Sequence, residues 1–239
     1  MFRVGIVAAL EREVRPLVKP WSVSEREVDG RQVRFFEKDN VVLVCGGIGA
    51  EAARRAAEAM IAIYAPTIIY SAGFAGALEP ALKIGEVMQP RRVVNAGDGS
   101  SMNFDQGEGV LVSFGSVASP EQKAKLRVSF GAQAVDMEAA AVGRAAEARG
   151  AGFAVIKVVS DEFDFGFPSM ERFVDSNGQF LEGRFAWFTA FRPWLWPQVA
   201  RLARNSNRAS LALCDDLRKV IRATSASPDV PSVGAVNRR

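Results

Sequence analysis

The sequence predicts an α/β fold in a single domain. Three observations carry this. Short β-rich apolar runs recur along the chain, Ala-rich helical stretches lie between them, and no repeat or linker interrupts residues 1–222. With 239 residues, 49% of them apolar, the chain can bury one sizeable core.

The elements follow in order. FRVGIVAA, residues 2–9, reads as a buried strand, and LEREVRPL after it as a helix or a loop leading into one. RQVRFFEKDNVVLVCG, residues 31–46, reads as a hairpin around Asp39 and Asn40. In GGIGAEAARRAAEAMIAIY the glycines predict a tight turn and the alanines a helix, which Pro66 ends. TIIYSAGFAGAL is expected to be a strand entering a glycine turn, and GEVMQPRRVV a further strand. Residues 95–108 are polar and Gly-rich and read as a loop. GVLVSFGSVAS predicts a strand and turn, and SPEQKAKLRVSF a short helix with Ser119 at its N-cap. Residues 137–149 predict a helix, and FAVIKVVSD, residues 153–161, a buried strand ending in Ser160 and Asp161. The remainder reads as helical, punctuated by Pro193 and Pro197, with residues 223–239 expected to be a disordered tail.

Composition removes several chemistries. The chain has no histidine, which excludes Ser-His triads, His acid–base catalysis and His metal ligands. No metal or organic cofactor is expected. The two cysteines, Cys45 and Cys214, lie far apart and point to a reducing compartment, so a cytoplasmic location is expected. No apolar run is long enough to span a bilayer, and the N-terminus does not read as a signal peptide. The formal net charge is +3 with acids and bases mixed, which lacks the dense basic stripe of a nucleic-acid binder.

The chemistry must then come from carboxylates and small-residue turns at strand ends, where α/β folds place ligands. Asp161 closes an apolar strand, where partial desolvation raises a carboxyl pKa toward the range of a general acid; an N-cap is the structural alternative. AVDMEAAA, residues 134–141, sets Asp136 and Glu138 among apolar neighbours. A helix dipole alone accounts for acids there, while the apolar surroundings favour ligand contact. Glu11 and Glu13 follow the first strand, one facing a pocket or both on a surface helix. GGIG and SAGFAGAL leave room for a ligand against the backbone, or for close strand–helix packing.

The joint order of VGIVAALEREV, GGIGAEAARRAAEAM, YSAGFAGALEPALKIGEV and VDMEAAAVGRAAEARGAGFAVIKVVSD resembles the nucleoside phosphorylase and nucleosidase superfamily, over roughly residues 2–165. It is most similar to the methylthioadenosine/adenosylhomocysteine nucleosidase branch. The resemblance implies a three-layer α/β/α sandwich around a mixed, partly closed sheet, and cleavage of a purine N-ribosidic bond. It implies that Glu13 activates the attacking water, and that Glu138 accepts hydrogen bonds from the ribose hydroxyls with Met137 against the sugar. It makes Asp161, supported by Ser160, the acid at the purine edge. Ile48 and Gly49 are placed near the point of attack, and Ala72, Gly73 and Phe74 in the third motif beside the ligand. The phosphate-holding Arg and Ser of the phosphorylases are replaced by Ser71 and Phe74. Water is therefore preferred as nucleophile, with phosphate, held by Arg12 or Arg54, as the alternative co-substrate. Breaking such a bond passes through an oxocarbenium-like sugar, which carboxylates serve without histidine.

GFAGAL, VDMEAAAV and the stretch from VDSNGQF to NRASLAL are further similar to hopanoid-associated nucleoside phosphorylase-like proteins. That similarity implies a lipid-linked adenine nucleoside, adenosylhopane, as substrate. FAWFTAFRPWLW, residues 185–196, sets six large aromatics among arginines. A core or subunit interface is the first reading of that segment, and a peripheral contact with the inner membrane the second. A homo-oligomer, dimer or larger, is implied by the family. A nucleoside-binding protein without turnover is the alternative to an enzyme.

Overall fold

The structure, a computed structural model, describes residues 4–166, 170–173, 175 and 178–226. One mixed sheet of eleven strands forms the middle layer. Its strands are β1 (Val4–Ala8), β2 (Ser22–Val28), β3 (Arg31–Lys38), β4 (Val41–Cys45), β5 (Ile68–Ala77), β6 (Val87–Met88), β7 (Arg92–Asn95), β8 (Ser101–Asn103), β9 (Val110–Ser113), β10 (Ala134–Asp136) and β11 (Gly152–Asp161). The order runs β2-β3-β4-β1-β5-β10-β9-β7-β8, with β11 on β5 and β6 on β11. The helices are α1 (Glu11–Val18), α2 (Ala50–Tyr64), α3 (Pro120–Phe130), α4 (Ala139–Ala148), α5 (Glu182–Ala190) and α6 (Trp196–Ala226).

Alternation along the strands builds the three layers. Val7, Val42, Val44, Ile69, Phe153 and Val155 face the alanines of α2 and α4. Their neighbours Ile6, Val41, Leu43, Ile68, Ile156 and Val158 face α1 and α6. A period of two thus buries both faces of the central strands, which is why these segments read as continuous apolar runs. A third, smaller cluster places α3 over β9 and β10 through Leu78, Val112, Leu126 and Val135. The α/β/α sandwich is as expected. The sheet branches at β5 rather than closing: β1 pairs with Val4–Val7 against Ile68–Ser71, and β10 takes over at Gly76 and Ala77.

Several expectations change. SAGFAGAL is strand up to Ala77, paired with β11 as far as Gly76 with a register shift between Val159 and Asp161. Its glycines serve close approach: a Cβ at Gly73 would stand 2.9 Å from Glu13 Oε2, and one at Gly76 2.8 Å from Asp161 Oδ2. The strand β2 is mostly exposed, so no apolar alternation announces it. Its signal is Asp29-Gly30, both at positive φ, the dipeptide of a tight hairpin turn. The polar segment 95–108 contains the edge strand β8. AVD is strand β10, so α4 begins at Ala139 and not at 137. Ser119 does cap α3, in a reciprocal capping box with Gln122. Pro197 lies in the first turn of α6, where a missing N–H costs nothing. α6 also takes in residues 223–226 of the expected tail, and residues 227–239 lie outside the described residues. No helix among the described residues is long and apolar enough to cross a membrane.

Candidate active site

The parallel strands β1, β4, β5 and β11 deliver their C-terminal ends to one side of the sheet. A cavity of about 570 Å³ opens there, within the size range of small-molecule sites. Glu13, Ile48, Phe74, Met137, Glu138, Ser160 and Asp161 all line it. Segments separated by more than a hundred residues are thus brought to one wall.

Glu13 lies on the inner face of α1 beside Val14 and Leu17 and is 5% exposed. Its backbone carbonyl accepts a hydrogen bond from Ser210 Oγ of α6 at 2.9 Å, which ties the C-terminal helix to this residue. Its Oε2 is buried with no protein hydrogen-bond partner among the described residues. Such an acceptor in a cavity is free to bind a water. Burial raises the Glu13 pKa to about 7, the Glu138 charge adds to the rise, and Lys157 and Arg12 oppose it.

Glu138 sits at the turn into α4 and is equally buried. Gly49 N–H donates to its Oε1 at 2.9 Å and Met137 N–H to its Oε2 at 3.3 Å. Gly49 therefore serves the site by holding Glu138 and does not line the cavity. Burial raises the Glu138 pKa, against the nearby charge of Lys157. Asp136 has the helix-start role: it accepts from Ala139 N–H at 2.8 Å and from Ser113 Oγ at 2.6 Å. Both acids of AVDMEAAA line the cavity, and they differ in their partners: Glu138 is held by the Gly49 and Met137 N–H groups, Asp136 by Ala139 N–H and the Ser113 hydroxyl. Replacing Glu138 by Gln keeps the shape and removes the charge. The expected loss in kcat/KM on a nucleoside substrate is about 10²–10³-fold with a folded protein, checked by steady-state kinetics beside a thermal melt.

Lys157 links these carboxylates, and the sequence reading did not single it out. It continues the β11 face of Phe153 and Val155, is 1% exposed, and pairs with Asp136 at 2.8 Å and Glu138 at 3.7 Å. Burial opposes its charge, but attraction to Asp136 and Glu138 outweighs that and raises its pKa. The available signal was a single cation inside FAVIKVVSD, since a lysine in a buried strand requires acidic partners.

Asp161 does not stand alone either. Ser160 Oγ donates to its Oδ1 at 2.8 Å, as expected of a supporting residue. Its Oδ2 accepts from Lys123 of α3, which also donates to Glu162 O at 2.7 Å. Lys123 was not anticipated, because nothing in the α3 pattern separates it from the exposed Lys125.

Besides Gly49, two expected residues fall away from the cavity wall. Ala72 is packed in the core between the sheet and α6, and Gly73 lies beneath the Glu13 carboxylate. Ser71 is fully buried. Arg54 is bound to Glu51 and Glu58 on the outer face of α2, whereas Arg12 lines the cavity and stacks 4.7 Å over the Phe180 ring.

The chain matches the model of the phosphorylase superfamily over residues 3–127 and 108–182. A 5′-methylthioadenosine/S-adenosylhomocysteine nucleosidase of Staphylococcus aureus strain MRSA252 is 27% identical over 222 residues, covering 75% of this chain and 97% of that protein. Among solved structures, the native futalosine hydrolase of Helicobacter pylori strain 26695 has a TM-score of 0.69 at 18% identity, covering 93% of this chain and 98% of that one. A 5′-methylthioadenosine/S-adenosylhomocysteine nucleosidase from Neisseria meningitidis, in complex with methylthio-immucillin-A, has a TM-score of 0.68 at 18% identity, covering 93% and 100%. At these identities the structural likeness shows a shared fold. Buried carboxylates around one cavity, the fold and the family match together place the chain: it belongs to the phosphorylase superfamily, and it is an enzyme of N-glycosidic bond cleavage.

Proposed function

We propose that the protein cleaves the N-ribosidic bond of an adenine nucleoside with water, releasing the base, and that its substrate is lipid-linked, of the adenosylhopane type. The observation that carries the reaction is the convergence of Glu13, Glu138 and Asp161 on one cavity wall. Glu138, beside Lys157, faces the positive charge that develops on the ribose. Glu13, with an unpartnered oxygen, accepts the proton of the attacking water. Water is preferred to phosphate because the Arg-like and Ser-like positions of the third motif are Ser71, which is buried, and Phe74. No metal or organic cofactor is needed for this chemistry.

Support for a lipid substrate comes from the apolar part of the cavity lining. Phe165 and Leu202 line it and belong to an apolar cluster with Leu195, Phe185 and Phe188. The aromatic segment divides there. Phe185 and Phe188 turn inward against Phe173, while Trp187, Phe191, Trp194 and Trp196 are 72%, 66%, 69% and 56% exposed. Trp with neighbouring exposed arginines suits the interface of a membrane, here its cytoplasmic face. A homo-oligomer completes the proposal. A second reading, cleavage of 5′-methylthioadenosine or S-adenosylhomocysteine, is favoured by the name of the 27% identical relative.

The test is a panel of adenosine, 5′-methylthioadenosine, S-adenosylhomocysteine and a 5′-alkyl-chain adenosine, with and without phosphate, read as free adenine. Fastest release from the alkyl-chain nucleoside without phosphate is expected. Preference for the thioether nucleosides selects the second reading, phosphate dependence overturns water, and no release from any member favours a binding protein. Sedimentation with anionic vesicles is expected, and its loss in Trp194→Ser/Trp196→Ser assigns the patch. Dissociation of a dimer by those changes makes it a subunit interface instead.

A further inference from the structure

Asp161 and Lys123 line the cavity side by side and are joined by a hydrogen bond. Both Asp161 oxygens are acceptors here, Oδ1 from Ser160 and Oδ2 from Lys123. The Lys123 side chain is 4% exposed, and two of its three N–H bonds are placed on Asp161 and on Glu162 O. The third has no protein acceptor among the described residues, and Lys123 lines the cavity. A Cβ at Gly76 would stand 3.3 Å from Lys123 Nζ, so this glycine opens the space that the ammonium occupies. The α3 capping box of Ser119 and Gln122 fixes the turn immediately before Lys123, and Ser119, Pro120 and Gln122 also line the cavity. The helix start therefore aims the lysine.

From this geometry we infer that Lys123 is a catalytic residue: its ammonium supplies the proton to the departing purine, while Asp161 holds that ammonium and accepts from the exocyclic amine of adenine. The inference rests on the proposed N-ribosidic cleavage. The C1′–N9 bond breaks with its electron pair going to the purine. A proton moves from Lys123 Nζ to purine N7, leaving a neutral amine. Water adds to C1′ and gives its proton to Glu13. That proton returns through solvent to Lys123, so one water is consumed and the enzyme is restored. Proton donation of this kind contributes about 10²–10⁴-fold.

The experiment compares Lys123→Met and Lys123→Gln with the wild type on two leaving groups. One substrate is the adenine nucleoside that the wild type cleaves fastest. The other is 4-nitrophenyl β-ribofuranoside, whose leaving group departs as an anion without a proton. On the adenine nucleoside both variants are expected to lose about 100-fold in kcat. On the nitrophenyl riboside the loss is expected to be under about threefold. Restoration of Lys123→Ala by added ethylammonium on the adenine nucleoside alone is the second expected result. Equal losses on both substrates make Lys123 structural and overturn the inference, as do undiminished rates, while N-ribosidic cleavage stands. A wild type that cleaves neither substrate overturns both.

Discussion

Glu13→Gln is expected to lower turnover by about 10²–10³-fold and to erase an acid limb near pH 7 from the pH–rate profile. As the proposed base Glu13 acts in its carboxylate form, and its pKa is raised to about 7 by burial first and by Glu138 second. Wild-type kcat/KM should therefore rise as pH increases through about 7. Stability runs the other way. The ordinary value is 4.5, so between 4.5 and about 7 the folded state binds more protons than the unfolded one. The contribution of this residue is fully present below pH 4.5 and is lost as pH rises through about 7. The shift corresponds to a cost of about 3 kcal/mol above that pH. Glutamine does not ionise, so the variant should be more stable than the wild type at pH 8.5, with a smaller difference at pH 5. Urea titrations at the two pH values check this. An unchanged rate in Glu13→Gln removes it as the base, and a stability difference independent of pH removes the burial argument.

Lys157→Met is expected to destabilise the fold by about 3–5 kcal/mol, because it leaves buried carboxylates without their cation. For a domain of this size that is roughly 10 °C in Tm. Lys157 is paired with Asp136 and Glu138 and also opposes the rise of the Glu13 pKa. Its removal should therefore move the acid limb above pH 7 as well as lower the melting temperature. A thermal scan and a pH–rate profile on the same preparation test both. A melt within about 2 °C of the wild type would show that the cluster sheds its charge without this lysine. The one substitution removes both ion pairs, with Asp136 and with Glu138, so the melt and the pH profile are read together.

The exposed and buried halves of the aromatic segment show why composition alone left its reading divided. Phe185 and Phe188 pack inward, and Trp187, Phe191, Trp194 and Trp196 point outward. A run of alternating large aromatics carries both faces, and only the path of α5 and the turn at Pro193–Leu195 separates them.

The sequence by itself determined the α/β class, the order of the main strands, and three carboxylates at strand or helix boundaries, because these are local patterns of period and position. Only the tertiary structure decided what each carboxylate touches. Strand β5 had to remain extended through its glycines for Glu13 and Asp161 to lie against it, which local turn chemistry does not reveal. Lys157 reaches Asp136 and Glu138, and Lys123 reaches Asp161, across separations of 21, 19 and 38 positions. A lone lysine in a strand or helix shows a need for partners, but the partner is chosen by sheet order and helix placement. That is why the acids were legible in the sequence and the cations that govern them were not.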